Sequence, residues 1–98
     1  MEKGTPHHKL SIVKSLIESG KVRMTASAVA DGELLGFDRI AIINIVITLT
    51  PAVFYKSMTT HVDHRIWQDV YHPSTAAGEV YLKLIVVDEL LIVSFKEL

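Results

Sequence analysis

The sequence predicts an α+β fold in which amino-terminal helices pack against an antiparallel sheet built from the carboxy-terminal half. Three observations carry this reading. Apolar residues recur at helical spacing between Leu10 and Gly20, they alternate at strand spacing from Val80 onward, and the character of the chain changes near Pro51. A chain of 98 residues hides about two-thirds of its unfolded surface around one core and has no room for a second. One domain over residues 1–98 is therefore expected.

Each element has its own signal. Thr5-Pro6 reads as an N-cap with proline at the first helical position, after which Leu10, Val13, Leu16 and Ile17 form an apolar stripe that stops at Gly20. Lys21 to Met24 is a short strand or a connector. Thr25 caps a second short helix that runs to about Leu35, just before Gly36. The run from Ile40 to Leu49 satisfies both the helix and the strand template. Its β-branched content leans towards strand, whereas Asp38 as a cap and Thr50-Pro51 as a stop favour a buried helix, which is the reading adopted.

Four strands follow, at about 54–61, 66–72, 78–87 and 90–97, joined by short polar or Pro/Gly-containing connections that imply an antiparallel meander. If the last hairpin is centred between Asp88 and Glu89, Leu84 faces Val93, Lys83 faces Ser94 and Tyr81 faces Lys96. A loop over 62–65 in the first hairpin would set Lys56 opposite Tyr71 and leave Gln68 on the other face. An odd-length loop or a bulge would return Lys56 and Gln68 to one surface, and one of these is expected.

Composition narrows the chemistry. With 10 Lys+Arg against 11 Asp+Glu the formal charge is -1, which excludes holding polyanions through bulk positive charge, so any nucleic-acid contact is local. The absence of cysteine removes disulfide frameworks and thiolate metal sites and agrees with a reducing, cytoplasmic setting. The amino terminus lacks the apolar core of a secretory signal, and the longest apolar stretch is about half the length of a membrane span. Neither export nor a membrane span is expected.

The back half holds four basic residues, Lys56, Arg65, Lys83 and Lys96, and three of them fall within expected strands. Singly, a strand lysine is a solvated surface group. Clustered on one face, ammonium groups depress one another's pKa, create an anion site and bring a lysine nearer to acid–base work at neutral pH. Gln68 and Tyr81 could position a phosphate or a 2′-hydroxyl, although each is also an ordinary strand residue. Trp67 and Tyr71 fit hairpin packing better than ligand stacking. Among the histidines, His61-x-x-His64 lies in an expected loop with only Asp63 nearby, a poor ligand set, so no metal site is expected. Glycine-rich phosphate loops, nucleophile elbows and paired-carboxylate motifs are missing, leaving nucleotide hydrolases, esterases and glycosidases without local support.

The strings Met1-Glu-Lys-x-Thr-Pro-His7, Phe54-Tyr-Lys-Ser-Met-Thr-Thr60, Ile66-Trp-Gln-Asp-Val-Tyr71, Val80-Tyr-Leu-Lys83 and Leu91-Ile-Val-Ser-Phe-Lys-Glu97 together resemble the motility quorum-sensing regulator toxin family. The likeness spans nearly the whole chain and is loosest in the front half. It implies a type II toxin with a RelE-like α+β fold, a messenger RNA endoribonuclease that selects GCU-type sites and works without metal, cofactor or ribosome. It implies a partner too, an antitoxin of the MqsA type with a zinc-binding domain and a helix-turn-helix domain, so that the zinc belongs to the partner.

Residue by residue, the resemblance places the catalytic set on Lys56, Gln68, Tyr81 and Lys96; Lys83, Tyr71 and His72 are expected in addition as RNA contacts. His72 stands where the family form carries arginine, and Leu98 ends the chain in place of a basic residue. The mechanism expected is attack of the 2′-hydroxyl on the adjacent phosphate, with Lys56 activating the nucleophile. Lys96 would stabilise the phosphorane or protonate the leaving oxygen, while Tyr81 and Gln68 orient the substrate. A non-catalytic RNA- or protein-binding module on the same sheet is the rival. A DNA-binding regulator ranks last, since no basic recognition helix is visible.

Overall fold

A computed structural model describes residues 1–98. In chain order the elements are β1 (Glu2–Lys3), α1 (Leu10–Glu18), β2 (Val22–Met24), α2 (Ala26–Leu34), α3 (Arg39–Ile47), β3 (Phe54–Thr59), β4 (Trp67–Tyr71), β5 (Ser74–Thr75), β6 (Gly78–Val87) and β7 (Glu89–Glu97). The main sheet runs β1-β3-β4-β6-β7-β2, with β5 pairing β6 beside it. All pairings are antiparallel except β2 with β7, which is parallel. The α+β architecture read from the sequence holds.

The helices cover one face only. Val13 of α1, Ala28 of α2 and Ile42 and Val46 of α3 join Tyr71, Leu82, Leu84, Leu90, Ile92 and Phe95 from the strands in one buried cluster. Two caps act as the sequence implied: the Thr25 hydroxyl accepts from the Ala28 amide at 3.0 Å and the Asp38 carboxylate from the Ala41 amide at 2.8 Å. The ambiguous run is helical, and its buried residues Ile42 and Val46 lie one turn apart. Gly32 lets α2 sit close, because a Cβ there would lie 2.6 Å from Ile42 Cδ1.

Three expectations are corrected. Helix α1 starts at Leu10, not Pro6, because the amides of His7 and His8 donate to the buried carboxylate of Asp69, at 3.0 and 2.8 Å. Residues 4–9 therefore form a strap, and β1 ahead of them adds a strand beside β3. The last hairpin is centred on Asp88, which carries a φ of 64°, so Leu84 faces Ile92 rather than Val93. A bulge at Val93 then shifts the ladder, and Lys83–Ser94 and Tyr81–Lys96 pair as expected. Without that extra residue Lys96 would point into the helix-covered face.

The first hairpin resolves in the direction anticipated. Its connection, residues 60–66, is odd in length, so Met58 faces Gln68 and Lys56 faces Val70, and a bulge at Tyr55 separates these pairs from Phe54–Tyr71. Lys56 and Gln68 share a surface.

Candidate active site

Cross-strand partners share a face, so the registers define a grid on the side of the sheet that the helices leave open. Lys56, Val70, Lys83 and Ser94 form one row across β3, β4, β6 and β7. One step along, His72 follows β4 beside Tyr81 and Lys96; one step the other way lie Glu2, Met58, Gln68 and Ile85. Strands about 4.8 Å apart put the backbones of Lys56 and Lys83 roughly 10 Å from each other. Two lysine side chains are long enough to reach across that gap to one anion. The expected residues Lys56, Gln68, Tyr81, Lys83, His72 and Lys96 thus fall on one surface.

An arc of contacts rims this surface. The Lys56 ammonium lies 2.8 Å from Glu2 Oε1 and 5.6 Å from the Tyr55 ring centroid. The Tyr55 ring stacks on His72 at 4.3 Å, His72 is 6.0 Å from Tyr81, and the Lys96 ammonium sits 5.3 Å from the Tyr81 ring. Three aromatic rings and two ammonium groups thereby line a patch able to bind an anion and stack a base. The Nε2 of His72 is buried without a hydrogen-bond partner.

The electrostatics differ among the lysines. Burial, then the nearby Lys96 ammonium, push the Lys83 pKa below the ordinary lysine value. Lys56 moves the opposite way: its hydrogen bond to Glu2 raises it against a smaller opposing effect of desolvation, with the ion-pair attraction and the Tyr55 and Tyr81 phenols adding to the rise. Glu2 is lowered in turn, first by that hydrogen bond and then by the Lys56 charge. The pairing therefore favours the ammonium form of Lys56, the form that stabilises negative charge.

One expected RNA contact is not on this surface. Tyr71 is 1 % exposed and its ring packs edge-on against Phe54 at 5.4 Å on the helix-covered face. Alternation along β4 sends it inward, so it is a core residue, and the packing reading holds. Its hydroxyl has no partner, and burial followed by the Asp69 charge pushes its pKa up to about 12.

Two residues on the rim went unread in the sequence. Tyr55 reaches it because a bulge turns it outward, and Glu2 because β1 pairs with β3 in the register Glu2–Met58. The hold on Glu2 is built behind the sheet. Asp69, 1 % exposed, accepts from the Ser57 hydroxyl at 2.7 Å and from the strap amides of His7 and His8. The Trp67 ring stacks on His7 at 5.2 Å with the Lys3 ammonium over it at 4.3 Å.

Comparison with known proteins gives two findings. The family model described as "Motility quorum-sensing regulator, toxin of MqsA" matches residues 5–97. A curated relative from Escherichia coli (strain K12), "mRNA interferase toxin MqsR", is 54 % identical over 97 residues, covering 99 % of each chain.

Proposed function

The chain belongs to the motility quorum-sensing regulator family of toxins, and we propose from this premise that it is a messenger RNA endoribonuclease working by metal-independent transesterification. The observation that carries the proposal is the placement of Lys56, Lys83 and Lys96 with Tyr81 on the same uncovered face of the sheet. A near-neutral protein that gathers its strand lysines at one place offers a local anion site, as a scissile phosphate requires.

In this scheme the 2′-oxygen attacks the adjacent phosphorus and the bond to the 5′-oxygen breaks, leaving a cyclic phosphate and a free 5′-hydroxyl. The ammonium groups of Lys56 and Lys83 hold the phosphorane charge. Lys96 protonates the leaving oxygen, and Tyr81 and Gln68 orient phosphate and ribose. His72 and Tyr55 supply stacking surface for a neighbouring base. Beyond Gln68 the same face continues into a trough of about 560 Å³ lined by Ile85 and Leu91 together with the charged Arg23, Asp63 and Glu89.

The finer assignments follow the family: GCU-type sites, cytoplasmic action without the ribosome, and inhibition by an MqsA-type antitoxin that carries its own zinc and a helix-turn-helix domain. The test is incubation of the purified protein with a defined RNA in EDTA, with cut sites and end groups mapped. New 5′-hydroxyl and cyclic phosphate ends at GCU support the proposal. Binding without new ends would replace it with a non-catalytic module.

A further inference from the structure

Proton transfer from the 2′-hydroxyl needs an acceptor, and the structure assigns that role to Glu2: we infer that the Glu2 carboxylate is the general base of this site, with Lys56 as its fixed cationic neighbour. The inference rests on the endoribonuclease reading and names the group that reading leaves open. Three observations support it. Glu2 is the one carboxylate in the molecule that forms an ion pair with a lysine, at 2.8 Å, and that lysine is on the candidate catalytic face. The same hydrogen bond raises the Lys56 pKa and so favours its ammonium form. Glu2 is also held in place, since β1 is hydrogen-bonded to β3, with the Thr59 amide donating to the Met1 carbonyl at 3.0 Å, and the strap behind it is tied to buried Asp69.

The chemistry balances without another reactant. As the 2′-oxygen bonds to phosphorus, its proton passes to Glu2. As the 5′-oxygen leaves, it takes a proton from a lysine ammonium on the same face, and both groups regain their resting states by exchange with water. The groups that act on Glu2 are Lys56, diagonally across from it on β3, and the α-ammonium of Met1 beside it; Lys56 is faced in turn by Tyr55 and Tyr81. Those cations keep Glu2 ionised at neutral pH, ready to accept, but make it a weak base. Substrate corrects this. An incoming phosphate competes for the Lys56 ammonium and loosens its hold, so the carboxylate becomes more basic when the 2′-hydroxyl is beside it.

The experiment compares wild type, Glu2→Gln and Glu2→Asp on a short GCU-containing RNA across pH 4 to 9. The expected result is a fall in kcat of roughly 10²- to 10⁴-fold for Glu2→Gln, the usual worth of a general base, with KM unchanged or lower because a competing anion is gone. Glu2→Asp restores part of the rate, and the acid limb of the wild-type profile, set by a carboxylate, disappears in Glu2→Gln. A substrate with a sulfur leaving group at the 5′ position, which needs no acid, leaves Glu2→Gln slow. The side chain is largely exposed, so unchanged thermal unfolding of Glu2→Gln accompanies these results. Cleavage by Glu2→Gln within twofold of wild type overturns the assignment and leaves the endoribonuclease reading intact. Wild-type protein that makes no cyclic phosphate ends overturns both.

Discussion

Replacing Asp69 by alanine removes the tie that joins the amino-terminal strap to the sheet. Three donors lose their acceptor at once, the Ser57 hydroxyl and the amides of His7 and His8. Hydrogen bonds to a charged group are worth about 1.5–3 kcal/mol each, but the three do not sum. The strap amides lie near solvent and rehydrate once the strap lifts, whereas Ser57 is fully buried and its hydroxyl is stranded at a cost of about 1–3 kcal/mol. Removing a buried charge recovers part of this. The net loss is about 2–4 kcal/mol, which in a chain of this size lowers Tm by roughly 10–25 °C. Urea denaturation measures the first quantity, and amide hydrogen exchange reports the cause, since His7 and His8 should lose protection ahead of the sheet. A loss under about 1 kcal/mol, or strap amides as protected as before, would refute the view that Asp69 is what secures the strap and, through it, Glu2.

Other expectations are shorter. Gly32→Ala should destabilise by about 1 kcal/mol, because overpacking against Ile42 at 2.6 Å outweighs the gain in helix propensity; Ile42→Val deletes the clashing Cδ1, so the double variant should lose less than the sum in urea denaturation. Tyr71→Phe should be neutral or stabilising, as it deletes a buried hydroxyl that has no partner. The native phenol titrates at about 12, above its ordinary value of 10, so the folded state holds this proton more tightly than the unfolded one. That contribution is complete below pH 10 and is lost as pH rises towards 12; wild type should lose on the order of 2–3 kcal/mol relative to Tyr71→Phe over that interval. Lys83, pushed down by burial and by Lys96, should titrate higher in Lys96→Gln, as followed by the NMR shift of its ε-carbon, and an unmoved midpoint would mean that the two amines do not share a site.

Much of the architecture was legible because it rests on local chemistry. Thr25 and Asp38 mark helix starts by the bonds their side chains accept, Gly20 and Gly36 mark ends by adopting positive φ values that other residues avoid, and alternation marks β6 and β7. The start of α1 was misread for a corresponding reason. Thr5-Pro6 is a sound local signal, but Asp69, remote in sequence, takes the His7 and His8 amides. The pairing of Tyr81 with Lys96 came out as expected by compensation between two features, since the turn is centred on Asp88 and the bulge at Val93 adds one residue back.

What the chain alone determined was the inventory: a scarce set of strand lysines, a tyrosine and a glutamine in strings that match one toxin family, and the periodicities that make helices and strands. Which face each side chain occupies was decided by tertiary structure, because a single inserted residue inverts everything beyond it in a strand. The odd-length connection over residues 60–66 and the bulge at Val93 set Lys56 and Lys96 on the open side, while alternation along β4 turned Tyr71 into the core. Glu2 shows the same limit most clearly. No spacing rule links residue 2 to residue 56, and only the closing of β1 onto β3 brings that carboxylate to its lysine.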